Sequence, residues 1–193
     1  MGLTAKGQAT RQRIIEGASG YLLGCGDGEV TLDEIRAISG TSKGQIFHYF
    51  PGGKEELLLA VAEHESARVL ADQQPHLGAL TSWAAWERWR DAVVARYRAQ
   101  GRSCPLNALM SQVATPGAEA VIARLLHQWQ AHVRAGIEDM QASGQVRPAL
   151  DAGQAAAAFV AGIQGGVVVQ RSTGSTAHLE ATLDALIGYL RGS

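Results

Sequence analysis

Two helix-starting signals stand almost back to back in this chain. Thr31-Leu32-Asp33-Glu34 sets a threonine three residues before a glutamate, and Ser42-Lys43-Gly44-Gln45 repeats the form with serine and glutamine. In each, the hydroxyl oxygen accepts from the amide three residues ahead while the longer side chain reaches back to the cap amide. Between them Ser39-Gly40-Thr41 stops the first helix, and Gly40 suits a left-handed helix end. After the second signal Ile46 and Phe50 recur one turn apart for the core, Pro51 forbids continuation and Gly52-Gly53 supplies a turn. The chain must therefore form two short helices joined by a tight glycine turn.

The rest of the sequence is also helical in period, and no alternating apolar and polar run bounded by turn residues makes a strand. A first helix is expected from near Thr10 through Arg11, Ile14, Ile15, Ala18, Tyr21 and Leu22, ended by Gly24-Cys25-Gly26-Asp27-Gly28. Ile35 and Ile38 supply an apolar side to the helix that begins at Leu32, and Lys54-Glu55-Glu56 opens a long helix through Leu57, Leu58, Val61, His64, Ala67 and Leu70. Beyond Pro75 the pattern predicts helices at about 81 to 100, 105 to 114, 117 to 143, 151 to 171 and 176 to 191, separated by Gly/Pro/Ser clusters. The fold class is all-α, with about nine helices: a three-helix helix-turn-helix module over residues 1–53 and a helical bundle over residues 54–193.

Composition narrows the function classes. The chain has 193 residues and an apolar fraction of 46%, enough for a substantial core. Cys25 and Cys104 are its only cysteines and form no C-x-x-C pair, so a disulfide framework or zinc cluster is not expected and a reducing cytoplasm fits. The N-terminus lacks the apolar stretch of a signal peptide, and the most apolar run, Ala155 to Val169, is broken by Gln164 and short for a span, so the expectation is a soluble protein with no membrane partner. The net charge of -1 gives no global attraction to nucleic acid, although residues 1–54 hold six Lys/Arg against five Asp/Glu.

The stretch GTSKGQIFHYF, residues 40–50, fits two incompatible patterns. Gly40-Thr41-Ser42-Lys43-Gly44 satisfies G-x-S-x-G, which in a nucleophile elbow needs a strand entering the turn. Here a helix enters, and none of His64, His76, His127, His132 and His178 lies in a recognisable strand-end loop to serve as base. Two capped helices with a glycine turn instead meet the demands of a helix-turn-helix, whose second helix must enter a major groove about 12 Å wide. With Ile46 and Phe50 committed to the core, Lys43, Gly44, Gln45, Phe47 and His48 are left for solvent or DNA. Lysine can meet guanine or phosphate, glutamine can meet adenine or phosphate, and Gly44 lets the backbone approach.

From Thr31 to Leu57 the sequence resembles the TetR/AcrR family of transcriptional regulators, whose signature resembles T-x-x-x-I-x-x-x-x-G-V-S-K-G-x-x-Y-x-Y-F-x-x-K-E-x-L. Thr31, Ile35, Gly40, Ser42, Lys43, Gly44, Tyr49 and Phe50 stand at the matching places, and Lys54, Glu55 and Leu57 follow one residue later than the signature sets them, after Pro51-Gly52-Gly53. Thr41 replaces the usual valine and Phe47 a common tyrosine, so residue 47 cannot donate a hydrogen bond to phosphate. The resemblance implies DNA contacts from Thr31, Ser42, Lys43, Gly44, Gln45, His48, Tyr49 and Lys54, with Gln45 and His48 discriminating bases. Thr31 and Ser42 have a competing role as helix caps alone.

Cys104-Pro105-Leu106-Asn107-Ala108-Leu109 and the Gln164-Gly165-Gly166 helix resemble the LmrA/YxaF-like subgroup, which extends the resemblance over nearly the whole chain. Leu179, Leu183, Leu186, Ile187 and Leu190 mark an amphipathic last helix, and Gly162 and Gly166 on the preceding one permit close helix approach. These residues are the expected dimer seam, because the resemblance implies a four-helix homodimer interface; packing within one chain is the alternative. Trp83, Trp86, Trp89, Val93, Met110, Trp129, Phe159 and Ile163 are candidates for an apolar ligand pocket, with plain core packing the competing account. His127 and His132 lie about 140° apart around a helix, so no metal site is expected, and no cofactor is implied.

The expected function is a homodimeric regulator, a repressor of a palindromic double-stranded DNA operator, released when a small, largely apolar or aromatic inducer occupies the body. It is not expected to be an enzyme. The alternatives are a helical enzyme acting on an apolar substrate, which lacks an identified catalytic constellation, and a ligand-blind DNA-binding dimer.

Overall fold

The computed structural model describes residues 3–24, 31–101 and 117–192. Among these the chain forms eight helices and no strand: α1 (Ala5–Gly24), α2 (Leu32–Ser39), α3 (Lys43–Tyr49), α4 (Gly53–Ala71), α5 (Trp83–Gln100), α6 (Ala118–Ala142), α7 (Ala152–Thr173) and α8 (Ala177–Arg191). The helix expected at 105 to 114, with Met110 and the Cys104 to Leu109 motif, lies outside the described residues. Two compact units result, the described parts of residues 1–68 with 117–122, and of 69–101 with 123–192.

The first unit is built around Ile14, Ile15, Ala18 and Leu22 of α1, which meet Ile35 of α2, Ile46 of α3, Phe50, and Leu57, Leu58, Val61 and Ala62 of α4. Helix α1 starts at Ala5 rather than near Thr10, because the Thr4 hydroxyl accepts the Gly7 amide at 3.2 Å and caps a first turn that carries no apolar stripe. The expected apolar side of α2 also needs correction, since Ile35 is buried while Ile38 is 53% exposed. The second inward position is Ser39, four residues on, whose hydroxyl donates to the Ile35 carbonyl at 2.7 Å and lies 2.7 Å from that of Thr41. Gly17 of α1 comes near enough that a β-carbon on it would stand 3.3 Å from the Ser39 Cβ, a close approach that suits small residues on both helices. Thr41 thus occupies a buried place as the partner of a buried serine.

In the second unit Trp86 and Trp89 of α5 pack with Phe159 of α7, while Trp129, Val133, Ile137 and Met140 bury the inner stripe of α6. Helix α8 lays Leu179, Leu183, Ile187 and Leu190 inward. Its outer edge is tied to α5 by the fork of Arg90 on Asp184, at 2.8 and 2.9 Å, and by Arg98 on Glu180 at 2.8 Å. The hydrogen bonds that Arg90 donates to Asp184 raise the Arg90 pKa further, and hydrogen bonding by Thr176, ahead of Arg98, lowers that of Glu180.

Candidate functional site

The α2–turn–α3 segment forms from its caps. Thr31 is extended (φ -106°), its oxygen accepts the Glu34 amide at 3.3 Å, and its own amide donates to Glu34 Oε2 at 3.0 Å. Gly40, at φ 60°, closes α2 in the left-handed region that favours glycine. Ser42 then accepts the Gln45 amide at 3.2 Å while Gln45 Oε1 accepts the Ser42 amide at 2.9 Å. Both capping boxes read from the sequence are present, and Ile46 and Phe50 are both buried.

Helix α3 leaves Lys43, Gly44, Gln45, Phe47 and His48 exposed, with Ser42 exposed at its cap. Tyr49 is half-buried against the core and meets the edge of the His48 ring at a centroid distance of 4.9 Å. A single helix therefore gathers Ser42, Lys43, Gly44, Gln45, His48 and Tyr49, whereas Thr31 stands at the start of α2 and Lys54, half-buried, in the first turn of α4. The Thr31 hydroxyl is already engaged, since it donates to Glu34 Oε2 at 2.7 Å. Hydrogen bonds from Tyr21, then from Thr31, lower the Glu34 pKa and keep that carboxylate charged beside the cap. Gln45 spends its oxygen on the Ser42 amide, which leaves its NH2 group as the outward donor.

Of the pocket candidates, Trp86, Trp89, Val93, Trp129, Phe159 and Ile163 are all buried. The Trp86 and Trp89 rings meet edge to face at 5.7 Å, and their indole N–H groups donate to the Leu80 carbonyl at 3.1 Å and to Gln73 Oε1 at 3.0 Å. Trp83 stands apart, half-buried beneath the Arg191 guanidinium 4.9 Å above its ring. Phe159 also lines an apolar groove of about 320 Å³ with Asp151, Gln154, Ala155, Ala158, Leu186 and Tyr189. The ion pairs Arg90–Asp184 and Arg191–Glu87 line another, of about 430 Å³. Sequence reasoning missed these charge partners, which lie far apart along the chain.

The expected dimer seam does much of its packing within the chain. Leu179, Leu183, Ile187 and Leu190 are buried in the second unit, and Leu186 is half-buried. A β-carbon on Gly162 would stand 2.6 Å from Thr182 Cγ2, and one on Gly166 2.7 Å from the Leu179 Cα, so both glycines let α7 and α8 of one chain touch. The faces left exposed carry Ala157, Ala158, Ala161, Gly165 and Val168 on α7, and Ala185 and Tyr189 on α8. Among the described residues no group of three His, Cys, Asp or Glu side chains is placed to hold a metal.

Two family models match the chain: "Bacterial regulatory proteins, tetR family" over residues 22–61, and "Tetracyclin repressor-like, C-terminal domain" over residues 81–186, more than half of the sequence. The HTH-type transcriptional regulator SrpR of Pseudomonas putida is 36% identical over 81 residues, which are 42% of this chain and 38% of that protein. The HTH-type transcriptional repressor AcnR of Corynebacterium efficiens is 40% identical over 60 residues, 31% of each chain. The chain thus matches about a third of the length of these two relatives. A TetR family regulator from Cytophaga hutchinsonii has the same fold at TM-score 0.83 and 18% identity, covering 99% of this chain and 98% of its own. One from Chloroflexus aurantiacus superposes at TM-score 0.80 and 23% identity, covering 96% of both.

Proposed function

Because this chain belongs to the TetR family of transcriptional regulators, we propose that it acts as a homodimeric, ligand-responsive repressor of a palindromic DNA operator. The observation that carries the reading is the exposed face of α3, where Lys43, Gly44, Gln45, Phe47 and His48 stand clear of a core that holds Ile46 and Phe50. Such a face lets the helix lie in a major groove, with Lys43 and Lys54 on phosphates and Gln45 and His48 on base edges. Ser42, Gly44 and Tyr49 fix its approach, and Thr31 serves first as a cap. Residues 1–53 are the DNA-binding part and residues 54–193 the dimerising and ligand-binding part. The repressor assignment draws on the AcnR relative, which is a transcriptional repressor, and a cytoplasmic location follows from action on DNA.

Dimerisation is supported by α7, which is largely apolar, with a mean hydropathy of 1.5 over an 18-residue window. One side of it is buried in its own chain and the other exposes Ala157, Ala158, Ala161, Gly165 and Val168. A helix with two apolar sides needs two partners, and a second copy of the same helix supplies the missing one. The tight mutual packing of Trp86, Trp89 and Phe159 favours a second reading, in which the body dimerises and no ligand enters it.

Selection of bound fragments from genomic DNA by the purified chain, followed by footprinting, tests the proposal. A repeated half-site with centres about 34 to 36 Å apart is expected. Enrichment of no sequence over random DNA would overturn it, and operator binding that no small molecule alters would select the ligand-blind reading.

A further inference from the structure

Phe47 is the large apolar side chain on the exposed face of α3, and 43% of it is open to solvent. A lone exposed apolar residue is ordinary on a protein surface. The position of Phe47 is not ordinary, because it follows Lys43 by four residues and Gly44 by three, and so shares one face of the helix with both. Gly44 has no side chain to cover the ring, and a β-carbon built there would find only the Ser42 hydroxyl, 4.0 Å away. On the far side the ring is held, since a β-carbon built on Gly53 would stand 3.4 Å from Phe47 Cε1. One edge of the ring thus rests on the start of α4 while the rest of it is open to solvent, on the helix face that also carries Lys43 and the bare backbone of Gly44. Phenylalanine has no hydrogen-bonding atom to offer phosphate, and covering this outward edge with an apolar partner is favourable. The floor of the major groove offers one apolar group, the C5 methyl of thymine.

We infer that Phe47 packs on a thymine methyl in each half-site and thereby specifies one base pair of the operator. The inference rests on α3 being the helix that enters the groove. It assigns base discrimination to a third residue besides Gln45 and His48, at a place where tyrosine would present a hydroxyl.

The test uses the full chain and its selected operator, with each thymine replaced symmetrically by uracil, which removes only the methyl group. Losing one buried methyl costs the wild type about fourfold in affinity per half-site, and about fifteenfold for both, at one symmetric position. Phe47→Ala is expected to bind the thymine operator more weakly and to become indifferent to uracil at that position. Phe47→Leu, which keeps an apolar surface, retains part of the methyl effect and guards against misfolding as the explanation. Exchange of that T·A pair for C·G weakens binding, and 5-methylcytosine restores part of the loss for the wild type and none for Phe47→Ala. Tolerance of uracil at every position would overturn the inference and leave the DNA-binding reading intact. So would a Phe47→Ala loss that is equal on thymine and uracil operators, the result expected of a backbone contact. Failure of the chain to select any operator would overturn both together.

Discussion

Gly166 of α7 lies so close to Leu179 of α8 that a β-carbon on it would stand 2.7 Å from the Leu179 Cα. The obstructing atom is backbone, so no rotamer change relieves the contact and the two helices would have to part. Gly166→Ala is therefore expected to destabilise the second unit by about 1 to 3 kcal/mol despite the better helix propensity of alanine. Gly165, one residue earlier, has nothing of its own chain within 4 Å, so in the monomer Gly165→Ala should stabilise the helix by up to about 1 kcal/mol. Thermal melts of the two variants, measured at concentrations low enough to keep the chain monomeric, should move in opposite directions. Equal shifts would mean that α7 and α8 are not packed as described.

The same geometry decides where a dimer test should strike. Asp at Leu183 or Ile187 would bury a charge within its own unit and cost several kcal/mol of folding free energy, so loss of dimer there would say little about an interface. Ala161→Glu with Val168→Glu instead places charges on an exposed apolar face. That double variant should sediment as a folded monomer with an unchanged helical signal and much weaker operator binding, because each half-site then keeps only its own contacts. Persistence of the dimer at micromolar concentration would place the seam elsewhere.

On DNA, Lys43→Ala should weaken binding to all sequences alike and lower the salt slope by about one per half-site, as expected when a phosphate contact is lost. Gln45→Ala should mainly relax preference at one position. Removing its amide also opens the capping box at Ser42, so a loss of about 0.5 to 2 kcal/mol in stability accompanies it. Salt titrations and footprints separate the two effects, and an unchanged slope in Lys43→Ala would remove Lys43 from the phosphate contacts.

How much of this was legible in the sequence depends on the range of the interaction involved. The two capping boxes are local, with donor and acceptor three residues apart, and they stand in the structure at Thr31 and Ser42 as the letters imply. Ile38 misled because a helix as short as α2 turns a narrow stripe inward, and the need for close approach to Gly17 gave the second inward position to Ser39. The apolar stripe of α8 was plain, but periodicity says that a face is buried and not which chain covers it. The Arg90–Asp184 fork joins residues with no local signal connecting them. The sequence offers Trp83, Trp86, Trp89, Trp129 and Phe159 alike as pocket or core, and only the fold brings Trp86, Trp89 and Phe159 together and sets Trp83 apart.

Glu34 makes the first unit sensitive to acid. Hydrogen bonds from Tyr21 and Thr31 lower its pKa in the folded state from the ordinary 4.5, so its contribution is fully present above that value. The contribution is lost as the pH falls through the depressed folded-state value. Tyr21→Phe, which removes the first of these bonds, should move the Glu34 carboxyl titration back toward 4.5, as followed by its NMR shift. Glu34→Gln keeps a capping side chain but cannot titrate, so it should flatten this part of the acid limb. An unmoved titration in Tyr21→Phe would show that the tyrosine bond does not hold the carboxylate.

The tryptophans offer a test of ligand response that needs no label. Trp86, Trp89 and Trp129 are buried, and the first two have their N–H groups satisfied, so their emission reports on the interior of the second unit rather than on solvent. An inducer that enters this interior must part rings now in contact, and a small apolar or aromatic compound should therefore change indole emission saturably. Linkage requires such a ligand to lower operator affinity over the same concentration range, because a coupling of about 1 to 3 kcal/mol acts equally on both equilibria. Trp86→Ala should lower stability by about 3 to 5 kcal/mol through the cavity it leaves, and should weaken the ligand response if the ligand rests against that ring. Emission and operator binding are best titrated on the same sample. A saturable emission change with no shift in operator affinity would sink the inducer reading and leave a regulator whose body serves only to dimerise.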